Sequence, residues 1–174
     1  MKPQSTLFID SVVRSGATFS PCGKYRYLLW RHFTGDAIGR MLNMVLLNPS
    51  TATAEVNDPT VSRCCERAKS WGFDSLFVTN IFAWRSTNPS VLTDLQDPVG
   101  PENDDVLVSS AKSAAMVVCG WGNHGKLNGR SLQVVKMLRE AGVQLRALRV
   151  TKSGEGEHPL YLPYSLKPLP WEPV

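Results

Sequence analysis

The chain has no apolar run approaching the roughly 20 residues that a membrane-spanning helix requires, so no membrane association is expected. Its start, MKPQSTLFIDSVV, has no charged segment followed by an apolar one. No secretion leader is expected, and a cytoplasmic location follows by default. Cysteine is sparse: Cys22, Cys64, Cys65 and Cys119, none in a C-x-x-C pair. Cys64 and Cys65 are neighbours, and on a helix neighbours point about 100° apart, a poor arrangement for chelation. All four read as reduced, mostly buried thiols, with no metal, iron–sulfur or other cofactor expected. Charge runs are lacking too. The 19 Lys and Arg against 15 Asp and Glu leave +4, spread with no basic run longer than two. That balance permits attraction to phosphate without demanding it. Repeats, low-complexity tracts and linkers are absent.

What is present fits one domain. A length of 174 residues, 43% apolar and 20% charged, can bury a real core. Residues 24–33 (KYRYLLWRHF) favour a strand, the glycine-bearing turn TGDAIGR follows, and 41–47 (MLNMVLL) form a nearly continuous apolar run. The pair reads as an N-terminal hairpin or two consecutive strands, the second buried on both faces. It stops at Asn48-Pro49 because proline cannot donate to a ladder.

A helix is expected from Asp58-Pro59, with Asp58 as N-cap and Pro59 at the first helical position. Val61, Cys64, Cys65 and Ala68 share its apolar side, and it ends at Trp71-Gly72. Further strands are expected at 75–79, 115–119 and 143–149, and further helices at 102–114 and about 127–141. Residues 81–100 read as a long ordered loop. The expected architecture is three-layer α/β, a mainly parallel four-stranded sheet flanked by helices, in a single domain over 1–174. Its core covers about 16–163, and an extended proline-rich tail covers 164–174. In such sheets ligands bind at the carboxyl ends of the strands. That rule lines up Asn48, Asn80, Trp121 and the segment carrying His158 on one rim.

Four motifs lie on this rim. Asn48-Pro49-Ser50-Thr51 offers a carboxamide and two hydroxyls to a water or a phosphate, although the same residues also make plain turns. Asn80 offers a donor beside an acceptor, which suits the edge of a nucleobase. After it, Phe82 and Trp84 alternate and could form a stacking wall, with Arg85 adjacent; a core aromatic pair is the simpler alternative. His158 could donate to a leaving group or take a proton, on a segment preceded by the flexible Lys152–Gly156. Gly120-Trp121-Gly122 permits close backbone approach but has neither the Rossmann nor the Walker spacing. Asp58 is a candidate base whose capping role would also explain it.

Several segments in order resemble the domain-of-unknown-function family 1643 of bacteria and their phages. They are CGKYRYLLWR, LLNPSTA, NDPTVSRC, WGF, TNIFAWRSTNP, DPVGPEND, WGNHG and HPLYLP, spanning about 16–163. A more distant resemblance is to the uracil-DNA glycosylase superfamily. Asn48-Pro49-Ser50 stands where the mismatch-specific enzymes have Asn-Pro-Gly, Gly72-Phe73 matches their helix end, Asn80 the base-reading Asn, and His158-Pro159 the late His-Pro pair. Leu160 replaces the serine of the superfamily's His-Pro-Ser and stands where a minor-groove wedge would lie.

This second resemblance implies a uracil-DNA glycosylase-like fold and hydrolysis of an N-glycosidic bond. Asn48 would position water, Asn80 would read the base and His158 would stabilise the leaving group, with Asp58 as an additional carboxylate. It implies a nucleic-acid partner, DNA before RNA, and a modified or damaged base; the favoured state is a monomer. The alternatives are a non-catalytic reader of modified bases or nucleotides, an enzyme of free nucleosides or nucleotides, and an interaction protein working through its proline-rich tail.

Overall fold

The structure is a computed structural model that describes residues 12–35 and 39–173. Residues 1–11 of the chain start, 36–38 of the expected turn, and Val174 lie outside the described residues. The elements are β1 (Arg14–Phe19), β2 (Arg26–His32), β3 (Met41–Leu46), α1 (Pro59–Ser70), β4 (Ser75–Asn80), α2 (Asn103–Ser113), β5 (Met116–Gly120), α3 (Arg130–Glu140), β6 (Leu145–Ala147) and β7 (Leu169–Pro170). Short 3-10 turns occupy Pro89–Asp94, Asn123–Gly129 and Pro159–Tyr161.

The α/β class holds, but the sheet differs from the four-stranded, mainly parallel one expected. Among the described residues it has seven strands in the order β1-β2-β4-β3-β5-β6-β7. The central β4, β3, β5 and β6 are parallel, while β2 joins β4, β1 joins β2, and β7 joins β6 in antiparallel fashion. The hairpin is also placed differently. It pairs β1 with β2, and β4 inserts between β2 and β3, so the two strands adjacent in sequence are not adjacent in the sheet. The sequence RSGATF lacks the strict apolar alternation that would mark β1 as a strand; its hydrogen bonds to β2 define it.

The apolar run of β3 is buried on both faces, as a central parallel strand must be. Leu42, Met44 and Leu46 pack with Val61, Cys64, Cys65 and Ala68 of α1. Val45 and Leu47 pack with Leu107 and Ala111 of α2 and Val134, Val135 and Leu138 of α3. Helices therefore cover both faces, α1 on one and α2 with α3 on the other.

Local signals set the helix ends. Asp58 accepts from the Val61 amide at 2.8 Å, Pro59 opens α1, and Gly72 follows the helix at φ 76°. The helix expected from about 127 begins only at Arg130, because Asn128 (φ 54°) and Gly129 (φ 69°) are left-handed. The strand expected over 143–149 shrinks to Leu145–Ala147. Its first residues instead close the end of α3, where the Val143 amide donates to Leu138 O at 3.0 Å. Part of the tail continues the sheet as β7, and the Trp171 amide donates to Leu145 O at 3.0 Å. No helix among the described residues is long and apolar enough to cross a membrane.

Candidate functional site

At the rim where the parallel strands end, Leu46 registers with both Asn80 and Gly120. Because β2 runs antiparallel, its first residue, Arg26, arrives at this same rim. Arg26, Asn48, Ser50, Asp58, Thr60, Asn80 and His158 line a small cavity there, with Leu46, Val61 and Val78 beneath. Its volume is ≈ 30 Å³, about the share of one water molecule in the liquid.

Each polar group is held by identifiable bonds. Asn48 donates from Nδ2 to Ser86 O at 2.8 Å and to Pro49 O at 3.2 Å. Its Oδ1, which no described residue engages, is the atom left to accept. Asn80 is 2% exposed. Its Oδ1 lies 3.5 Å from Nη2 of Arg26, a weak contact, and its Nδ2 has no partner among the described residues. The end of β4 is fixed from the other side of the sheet. Asn103 donates to Asn80 O at 2.9 Å and to Ile81 O at 3.3 Å, and Arg130 donates to Ile81 O at 2.8 Å.

Asp58 is buried. While Oδ1 caps α1, Oδ2 accepts from the Ala52 amide at 3.3 Å. Capping and a place in the cavity are thus combined in one carboxylate. His158 accepts at Nδ1 from the Leu160 amide at 3.3 Å, so the neutral ring carries its proton on Nε2. Burial pulls this imidazole below its usual 6.5, and the charge of Asp58 partly offsets that pull. The ring is neutral at pH 7. The segment carrying it is fastened to α1, where Arg67 donates to Leu162 O at 2.8 Å and Pro163 O at 3.1 Å, and both Arg63 and Arg67 lie over the Tyr164 ring.

Arg26 is 2% exposed and donates to Ala52 O at 3.0 Å, while its Nε has no partner. Burial lowers its pKa to about 10, against the opposing charge of Asp58, and it stays cationic at neutral pH. Arg31, also on β2, braces the same loop through Thr53 O and Asn57 Oδ1, each at 2.8 Å.

Asn48, Ser50, Asp58, Asn80 and His158 thus meet, while the other residues expected in the site do not line the cavity. Pro49 is buried beside the cavity and takes the Ser86 amide on its carbonyl at 2.8 Å. Thr51 is exposed. Phe82 is buried among the α2 and α3 side chains, and Trp84 packs on that cluster and edge-on to Tyr25 at 5.4 Å. Arg85 donates to Gly23 O at 3.0 Å and lies over the Phe19 ring. Trp121 is 1% exposed, donates to Glu155 at 2.6 Å and meets Trp171 edge-on at 5.5 Å. Leu160 is half-buried next to His158, and the following Tyr161 is 90% exposed. Sequence reading missed Arg26 and Thr60. The only signal for Arg26 was a lone cation between two tyrosines in a strand.

Among the described residues, no group of three or more His, Cys, Asp or Glu could hold a metal ion. Residues 26–160 match a family model described as "Protein of unknown function (DUF1643)". The chain belongs to that family. The family's match opens at Arg26 and closes at Leu160, so it contains every residue lining the cavity. No curated protein and no solved structure matches the chain.

Proposed function

We propose that this family member recognises a nucleic-acid base at the Asn48–Asn80–His158 cavity and hydrolyses its N-glycosidic bond. The polymer is DNA before RNA, and the base is modified or damaged. The observation that carries the reading is the convergence of two carboxamides, a carboxylate and a neutral imidazole around space for one water, at the carboxyl ends of parallel strands. A uracil-DNA glycosylase-like fold belongs to the same proposal. It is supported by Asn48 and Asn80 at neighbouring strand ends and by the His158-Pro159 pair facing them.

In this mechanism the water gives its oxygen to the anomeric carbon as the bond to the base nitrogen breaks. The bonding electrons leave with the base, and the sugar passes through an oxocarbenium-like state. Asn48 Oδ1 orients the water, and the Asp58 carboxylate takes its proton and stabilises the positive sugar. His158 donates Nε2–H to an oxygen of the departing base, where negative charge grows. Solvent then protonates the base anion. Asn80 presents Nδ2 to an acceptor on the base edge, a pairing that favours a carbonyl-bearing base.

The cavity is sized for a water and not for a base, so in this reading binding requires the 50–58 loop and the 158–162 segment to separate. Base flipping would deliver the base, and Leu160 or the exposed Tyr161 would fill the vacated stack. The test is single-turnover base release by wild type and by the Asn80→Ala/His158→Ala double variant. Release that the double variant abolishes supports the assignment; release that persists refutes these roles.

A further inference from the structure

A second cavity lies on the α3 side of the sheet, away from the Asn48–Asn80 cavity. A cleft of ≈ 570 Å³ runs between α3, the 150–155 segment and the tail, within the size range of small-molecule sites. Leu132, Val135, Val150 and Trp171 give it apolar walls, and Leu132 and Val150 are 60% and 46% exposed. At its base sits Glu155, 7% exposed.

The surroundings of Glu155 are unusual for a carboxylate this deeply buried. It accepts from Trp121 Nε1 at 2.6 Å and from Ser131 Oγ at 3.1 Å, both neutral donors. Among the described residues no cation stands within ion-pair range of it. Lys126, which shares the cleft, donates instead to Ser153 O at 2.7 Å. An ionised carboxylate has about four lone-pair sites, and two are filled. Burying an anion without a countercharge is costly. A cationic donor in the cleft would fill the remaining lone-pair sites.

We infer that this cleft binds a small organic amine, with its ammonium on the Glu155 carboxylate and its apolar body along Leu132, Val135, Val150 and Trp171. Apolar walls disfavour a hydrated metal ion, and the carboxylate disfavours an anion. The inference is independent of base excision, because none of these residues lines the other cavity.

Titration of the intact chain with n-hexylamine and with phenethylamine, followed by tryptophan emission, tests it. Trp171 walls the cleft and Trp121 touches Glu155, so both indoles report occupancy. The expected result is a saturable change with either amine, none with hexanoate or hexanol, and affinity about tenfold or more weaker in Glu155→Gln. Should that variant fail to fold, Leu132→Lys places a competing cation on the exposed rim, and the same weakening is expected. No saturable response to the amines, an equal response to hexanol, or unchanged affinity in the variant that folds would overturn the assignment.

Discussion

The backbone of Gly156 crosses the end of β5 so closely that a Cβ there would stand 2.4 Å from the carbonyl oxygen of Cys119. The oxygen belongs to the main chain and the backbone fixes the Cβ position, so no side-chain rotation relieves the clash. In Gly156→Ala the segment must lift, and the cost is about 1–3 kcal/mol by analogy with overpacked cores. Because His158 is two residues further on, base release should fall as well. Urea unfolding measures the first effect; an unchanged midpoint would contradict the close crossing.

Asp58 serves both as the α1 cap and as a wall of the cavity, and two substitutions separate these roles. Asp58→Ala removes the cap and should cost about 0.5–2 kcal/mol. Asp58→Asn keeps an oxygen for the Val61 amide and should be nearly as stable as wild type. Both remove the carboxylate, so both should lose base release. An active Asp58→Asn would restrict Asp58 to capping.

What the sequence discloses follows from how local each signal is. Asp58-Pro59 and Trp71-Gly72 bound α1 because caps act through neighbouring residues. The run Met41–Leu47 marks a buried parallel strand because every side chain but that of Asn43 is apolar. Strand order is different in kind: β4 enters between β2 and β3 through contacts far apart in sequence, which no local pattern encodes. The same long-range arrangement brings Arg26 to the rim, so its place in the cavity was invisible beforehand. Phe82 and Trp84 carry the opposite lesson. Their alternation gives a shared face, and that face belongs to the core beneath α2 and α3.

Burial of His158 makes stability depend on pH. Its folded pKa lies below the usual 6.5, so between those two values the unfolded chain binds more protons than the folded one. Stability is therefore complete above 6.5 and declines as pH falls toward the folded value. Burial shifts His32 in the same direction. Denaturant midpoints from pH 5 to 8 should show the decline, and His158→Gln should flatten it. An identical slope in that variant would remove His158 from the explanation.

The thiols should divide sharply under alkylation. Cys22 is exposed, and its hydrogen bond to Ser20 lowers its pKa. Cys64, Cys65 and Cys119 are buried, and burial raises all three, Cys65 to about 11. Since the thiolate is the reactive form, iodoacetamide on the native protein should give one adduct, at Cys22, and four only after unfolding. Native labelling at Cys64 or Cys119 would contradict the packing of α1 and β5.

The most direct test of the central claim is mass spectrometry of free bases released from a DNA panel carrying uracil, hypoxanthine, alkylated bases and hypermodified phage bases. The account predicts that wild type releases one class of base and that His158→Ala slows this by about 10²–10³-fold, the loss typical of removing a transition-state donor. No release from any member of the panel, or release that His158→Ala leaves unchanged, would contradict it.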